Sequence, residues 1–166
     1  MQMTSPITYS LPQRILHWLT AVLVLFNLLL PDGMNAWQHA MRRTGAATVD
    51  QIASANIHAY AGLAVLLMVL FRLLLRNIQG VPAAPVSEPP IFRLGAKIAH
   101  VLLYGLLLMM PLTGIGAYYL GWGSAGDLHA DILKVILWLI LAMHVAGALA
   151  HHFYWKTNVL RRMTIG

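Results

Sequence analysis

Four apolar runs, Ile15–Leu30, Ile57–Leu75, Ile98–Leu120 and Ile132–Trp155, decide what this chain can fold into. An α-helix needs about 20 residues to cross a hydrocarbon core, and these runs approach or exceed that length. Lipid offers peptide groups no water to bond to, so a crossing segment satisfies its own backbone as a helix. The first run is the weakest, being short and carrying His17 and Asn27. It gains length if its helix begins near Pro12, because proline suits a first helical turn. Of 166 residues only 10% are charged and 59% are hydrophobic, a balance suited to a lipid solvent. The expected fold is therefore all-α: an integral membrane four-helix bundle forming one domain over residues 1–166. Its spans are expected at about 12–30, 55–76, 95–120 and 129–155.

The connections agree. Pro31, Asp32 and Gly33 end the first span, and the loop from Leu30 to Ser54 has room for a short helix around Trp37–Met41. Asp50 or Ser54 is the expected cap of the second span. Pro82, Pro85, Pro89 and Pro90 break any helix between the second and third spans. Gly121 to Gly126 makes a tight turn before the fourth, and Pro111 with Gly114 and Gly116 is expected to kink the third. The first run is expected to be retained rather than cleaved as a secretory signal: only Arg14 precedes it, and no small-x-small site follows before Asp32.

With four spans both termini share a side. That side, with the loop Arg76–Lys97, carries Arg14, Arg72, Arg76, Arg93, Lys97, Lys156, Arg161 and Arg162 against Glu88 alone. The other side carries Arg42, Arg43 and Lys134 against Asp32, Asp50, Asp127 and Asp131. By the positive-inside rule both termini are expected in the cytoplasm. The net charge of +6 thus reflects membrane topology, and its scattered cations form no nucleic-acid footprint. Arg72 and Arg76, near the end of the second span, are expected to snorkel to the cytoplasmic surface.

Histidines supply the chemistry. His129 and His144 lie on one run, fifteen residues apart. On an α-helix that is a rise of roughly 22 Å with a rotation of about 60° from the same face. One helix would then present an imidazole near each surface of the bilayer. His58 starts the second span from the same side as His129, while His17 and His100 start the first and third from the cytoplasmic side. Ionisable groups inside spans are costly and point to function. Paired imidazoles at matching depth suit an iron held between them, as in b-type haem. His58 with His129 makes the outer pair; His144 pairs with either His17 or His100. Cysteine is absent, which excludes disulfides, iron–sulfur ligation and covalent c-type haem. His39 reads as a loop residue, and the adjacent His151 and His152 diverge by about 100° on a helix, too far to share one ion.

These elements fall in an order that resembles the bacterial cytochrome b-561 family of small four-helix dihaem membrane proteins. The matching pieces are Ile15-Leu-His17-Trp18-Leu, His58 with Gly62 and Arg72 to Arg76, and Ala99-His100 with Tyr104 and Pro111-Leu-Thr-Gly114. Most specific is His144 to Lys156, running on to Leu160-Arg-Arg-Met163. The resemblance covers nearly the whole chain. It implies two non-covalent haem b groups, the inner on His17 and His144, the outer on His58 and His129. It also implies a ubiquinone site at His100 and His151, and a place in the bacterial inner membrane. One departure follows His129, where Ala130 stands in place of an acidic or aromatic residue and Asp131 comes a position later.

Short single-domain members of that kind are similar to superoxide oxidases, which pass electrons from superoxide to ubiquinone. A positive patch would speed the arrival of a small anion. Arg42, Arg43 and Lys134 are the outer cations that could steer it, although four aspartates share their face. The alternative is an electron-relay subunit that passes quinol electrons to a periplasmic or hydrogenase-like protein.

Overall fold

The computed structural model describes residues 6–85 and 88–166. Its described residues form helices and connecting turns with no strand. The long helices are α1 (Leu11–Leu29), α3 (Val49–Gln79), α4 (Pro90–Tyr118) and α6 (Lys134–Phe153). Three short ones join or follow them: α2 (Asp32–Thr44), α5 (Gly123–Asp127) and α7 (Val159–Thr164). A π-helical turn, Leu128–Leu133, links α5 to α6, so that Gly123–Phe153 is one helical stretch. Four stretches are long and apolar enough to cross a membrane: Leu11–Leu29, Val49–Gln79, Pro90–Tyr118 and Gly123–Phe153.

Two of these helices start with the same device. Ser10 accepts from the backbone of Gln13 while the Gln13 side chain accepts from the Ser10 N–H, and Thr48 and Gln51 repeat the exchange at α3. Such capping boxes satisfy two of the four N–H groups a helix start leaves orphaned. Thr48 therefore caps α3; the expected caps Asp50 and Ser54 lie inside the helix, which begins earlier than residue 55. The short helix expected around Trp37–Met41 is longer, and Gly45 closes it in the left-handed conformation at φ 70° that glycine tolerates.

Successive long helices pack as neighbours, α1 on α3, α3 on α4 and α4 on α6. Val24, Val65, Val69, Leu106, Leu137 and Ile140, drawn from all four, form one buried cluster at mid-depth. Outward lie large apolar side chains such as Val22, Leu67, Phe71, Val101, Leu139 and Met143. In water these would be an aggregation hazard; in a bilayer they meet lipid tails.

The start of α1 and the C-terminal segment meet at one end of the bundle. Arg14 donates to the Thr164 carbonyl, Trp18 to the Met163 carbonyl and Arg162 to the Ala83 carbonyl, so α7 ties the start of α1 to the proline-rich connection. At the opposite end α2 lies across the bundle. Trp37 packs edge-on against Tyr118, whose hydroxyl donates to Asn56. Gly33 permits this approach, since a Cβ there would stand 2.7 Å from that of Ser54.

Candidate functional site

Two histidine pairs join helices across the bundle. At the end bearing α2, His58 of α3 and His129 of the π turn have ring centres 6.2 Å apart. At the terminal end, His17 of α1 and His144 of α6 also stand 6.2 Å apart. Leu137 and Ile140 of the buried cluster lie between His129 and His144 along the last long helical stretch. All four rings are half-buried.

The sequence anticipated a regular helix through His129, whereas Lys134 N–H bonds back to the His129 carbonyl in a wider π turn. Single π turns inside helices recur at functional sites. This one delivers the His129 ring to α4, where Nδ1 lies 2.8 Å from the Met110 carbonyl and 3.2 Å from the Thr113 hydroxyl. A carbonyl can only accept, so Nδ1 carries the hydrogen and Nε2 keeps its lone pair. Metal-binding imidazoles are commonly oriented by such a bond. Pro111, inside α4 one residue on, has no N–H and leaves the Leu107 carbonyl without its helical donor. Gly114 completes the seat: a Cβ there would meet His129 Cε1 at 3.3 Å. Gly114→Ala should therefore press on a ring already fixed by two partners. If His129 holds a haem, the absorption band of that haem is expected to shift in the variant. An unaltered spectrum would mean that the ring has slack this packing does not suggest.

The second outer ring is held through its backbone. Asn27, the polar residue within the first span, donates from its amide to the His58 carbonyl. His58 Nδ1 is buried with no protein partner.

The terminal end is more crowded. His100, exposed on α4, has its ring centre 5.4 Å from that of His144, nearer than His17, and its Nδ1 lies 2.6 Å from the Ala96 carbonyl. The structure thus places both sequence candidates, His17 and His100, beside His144. Arg72 corrects the sequence reading. It does not reach for the aqueous surface: its guanidinium donates to His17 Nδ1 at 3.0 Å and sits 5.5 Å from the centre of the Tyr104 ring. Tyr9, just ahead of α1, is held above the ordinary phenol range by burial, with Arg76 opposing the shift. His151 has other company: it is buried against Glu88, Thr157 and Trp155. Sequence reasoning had counted Glu88 as a loop charge only.

Among the proposed steering cations, Arg42 forms an exposed ion pair with Asp127 at 3.3 Å. Arg43 lines an open hollow of about 660 Å³ with His39, and Lys134 is exposed at the start of α6. Asp131 is exposed as well.

Four membrane-length helices carry two pairs of facing imidazoles, one toward each end of the bundle. The chain belongs to the prokaryotic cytochrome b561 family, whose description matches residues 8–166. It is 33% identical to cytochrome b562 of Cereibacter sphaeroides over 97% of this chain and 98% of that protein. It is 29% identical to a probable superoxide oxidase CybB of Yersinia pestis, over 93% and 94%. A third relative, cytochrome b561 homolog 1 of Escherichia coli, is 27% identical over 93% and 96%. Membership makes this a bacterial multi-pass membrane protein of electron transfer and implies b-type haem.

The residues fit that group. Two imidazoles on opposite faces of one metal, each bonded at about 2 Å, have ring centres roughly 6 Å apart, as both pairs do. Among the described residues no cluster of three or more His, Asp or Glu could enclose an ion. Porphyrin would supply the remaining four positions of an iron held by two such nitrogens.

Proposed function

We propose that the chain is a dihaem cytochrome of the bacterial inner membrane that moves electrons from superoxide at the outer face to ubiquinone at the cytoplasmic face. The recurrence of one separation, 6.2 Å, at two depths of one bundle carries this reading. His17 and His144 would hold the inner haem iron, and His58 and His129 the outer. Such haems, when bound, would supply one-electron transfer, and two imidazole ligands apiece would leave no position for a further ligand.

Overall, two superoxide ions each give up one electron and become dioxygen. One ubiquinone gains two electrons and two protons and becomes ubiquinol. His100 and His151 would bind the quinone oxygens and pass on protons from the cytoplasm, a task suited to imidazole near neutral pH. The eight cations on the side of the termini, against three opposite, support a cytoplasmic terminal end. A hollow of about 280 Å³ lined by Phe26, Leu30, Asp32, Ser54, Ile57 and His58 supports a small diffusible donor at the outer pair.

A second reading, an electron relay from quinol to a periplasmic or hydrogenase-like partner, is favoured by one observation. Arg42 is tied to Asp127, and Asp32 lines the hollow, so the outer face offers an anion little net attraction. Stopped-flow spectroscopy of the oxidised protein after a superoxide pulse separates the two. Haem reduction is expected near the diffusion limit, about 10⁸ M⁻¹s⁻¹ or faster, with electrons draining once a short-chain ubiquinone is added. Reduction several orders slower would favour the relay.

A further inference from the structure

His151 and Glu88 form a nearly dry ion pair: Nε2 lies 3.2 Å from Oε1, with side-chain exposures of 11% and 4%. Glu88 is the chain's one glutamate. A buried carboxylate without a partner is expensive, and helix or loop formation does not require one here. The pair is also built from the other side. His151 Nδ1 lies 3.0 Å from the Thr157 hydroxyl, and that hydroxyl donates its own hydrogen to the His151 carbonyl. The Thr157 oxygen must then accept from Nδ1–H. Thr157 reaches this position because the chain turns at Lys156, which adopts φ 50°, the one positive φ outside glycine among the described residues. A non-glycine residue rarely takes that conformation without a compensating contact. Trp155 covers the imidazole with ring centres 4.9 Å apart, and Phe92 backs Trp155 at 4.9 Å.

With Nδ1–H fixed, the Nε2–Oε1 contact has two forms, imidazolium with carboxylate or imidazole with carboxylic acid. They differ only in which atom carries one proton. We propose that Glu88 and His151 are a proton-relay pair for quinone reduction at the terminal end of the bundle, His151 donating to one quinone oxygen and Glu88 resupplying His151. This rests on the quinone reading of His151 given above. In each turnover two electrons arrive from the outer donor and two O–H bonds form on the quinone. One proton passes from His151 Nε2 to a quinone oxygen, which leaves neutral imidazole beside the Glu88 carboxylate. Water at the cytoplasmic face then protonates that carboxylate, and its proton passes on to Nε2, while His100 serves the other oxygen. The cations on the adjoining segments are Arg93, Lys97, Lys156 and Arg161, all exposed, and Arg162, which is held on the Ala83 carbonyl. Glu88 acts through His151 and is therefore a positioning and relay residue.

The test follows haem reoxidation in a single turnover, mixing pre-reduced, haem-loaded protein with short-chain ubiquinone. Glu88→Gln keeps the shape and removes the exchangeable carboxyl proton. It is expected to keep the haem content and spectra, slow reoxidation at least about tenfold and enlarge the solvent deuterium effect. Glu88→Asp should recover most of the rate, and Glu88→Ala should be accelerated by added acetate, a diffusible replacement acid. An unchanged rate in Glu88→Gln overturns the relay, as does slow Glu88→Ala that acetate does not help. His151→Ala separates this failure from that of the quinone reading. If it too reoxidises at the normal rate, quinone binds elsewhere; if it is slow while Glu88→Gln is normal, only the relay falls.

Discussion

His144→Ala is expected to lose about half of the bound haem and keep the other half with an unaltered spectrum. The expectation follows from convergence: His17 at 6.2 Å and His100 at 5.4 Å both approach the His144 ring, so its removal leaves either partner facing nothing on α6. Even outer-shell partners of a metal ligand cost 10–100-fold in affinity when removed, and an axial ligand is worth more. The companion variants divide its neighbours. His17→Ala should lose the same haem, whereas His100→Ala should keep both and slow quinone turnover. Haem extracted per mole of protein, measured with the absorption spectrum of each variant, reads all three. If His100→Ala strips a haem and His17→Ala does not, the inner ligand set is His100 with His144. Full retention in His144→Ala would remove the inner site from α6 altogether.

What the sequence allowed one to foresee divides along a physical line. Spans and connections were legible because lipid enforces a long apolar run and proline enforces its end. The approach of His58 to His129 was legible too, since both start spans from one side. Distances across the bundle were not. Arg72 near the end of a span reads as a residue bound for water, and only packing shows that α1 brings His17 within 3.0 Å of it. Glu88 stands among prolines that read as an exposed connection; nothing local tells that α6 ends where it can bury this carboxylate against His151. The π turn at Leu128–Leu133 has no periodicity of its own over six residues, and thus left no trace. By contrast the Thr48–Gln51 capping box was readable from residue types three apart, and would have set the start of α3 correctly.

Arg72 yields the second large effect, because the two histidine pairs differ in readiness. His129 Nδ1 donates to a carbonyl and leaves Nε2 free, as a ligand requires. His17 Nδ1 instead accepts from Arg72, and a guanidinium has no lone pair with which to accept in return. Holding iron on Nε2 puts the hydrogen on Nδ1, so Arg72 must release His17 and donate elsewhere while remaining near the site, its charge over Tyr104. A cation beside an iron disfavours the oxidised, more positive state. Arg72→Leu should accordingly lower the potential of the inner haem. A unit charge about 7 Å away at an effective dielectric of about 20 is worth roughly 2 kcal/mol, on the order of 100 mV for one electron. The same charge acting over roughly 22 Å gives about a third of that, so the outer haem should move much less. Arg72→Lys preserves the charge and should preserve most of the potential, despite losing the planar fork. Spectroelectrochemical titration of the three proteins resolves the two midpoints. Equal displacement of both, or of neither, would show that this guanidinium does not stand beside the inner iron.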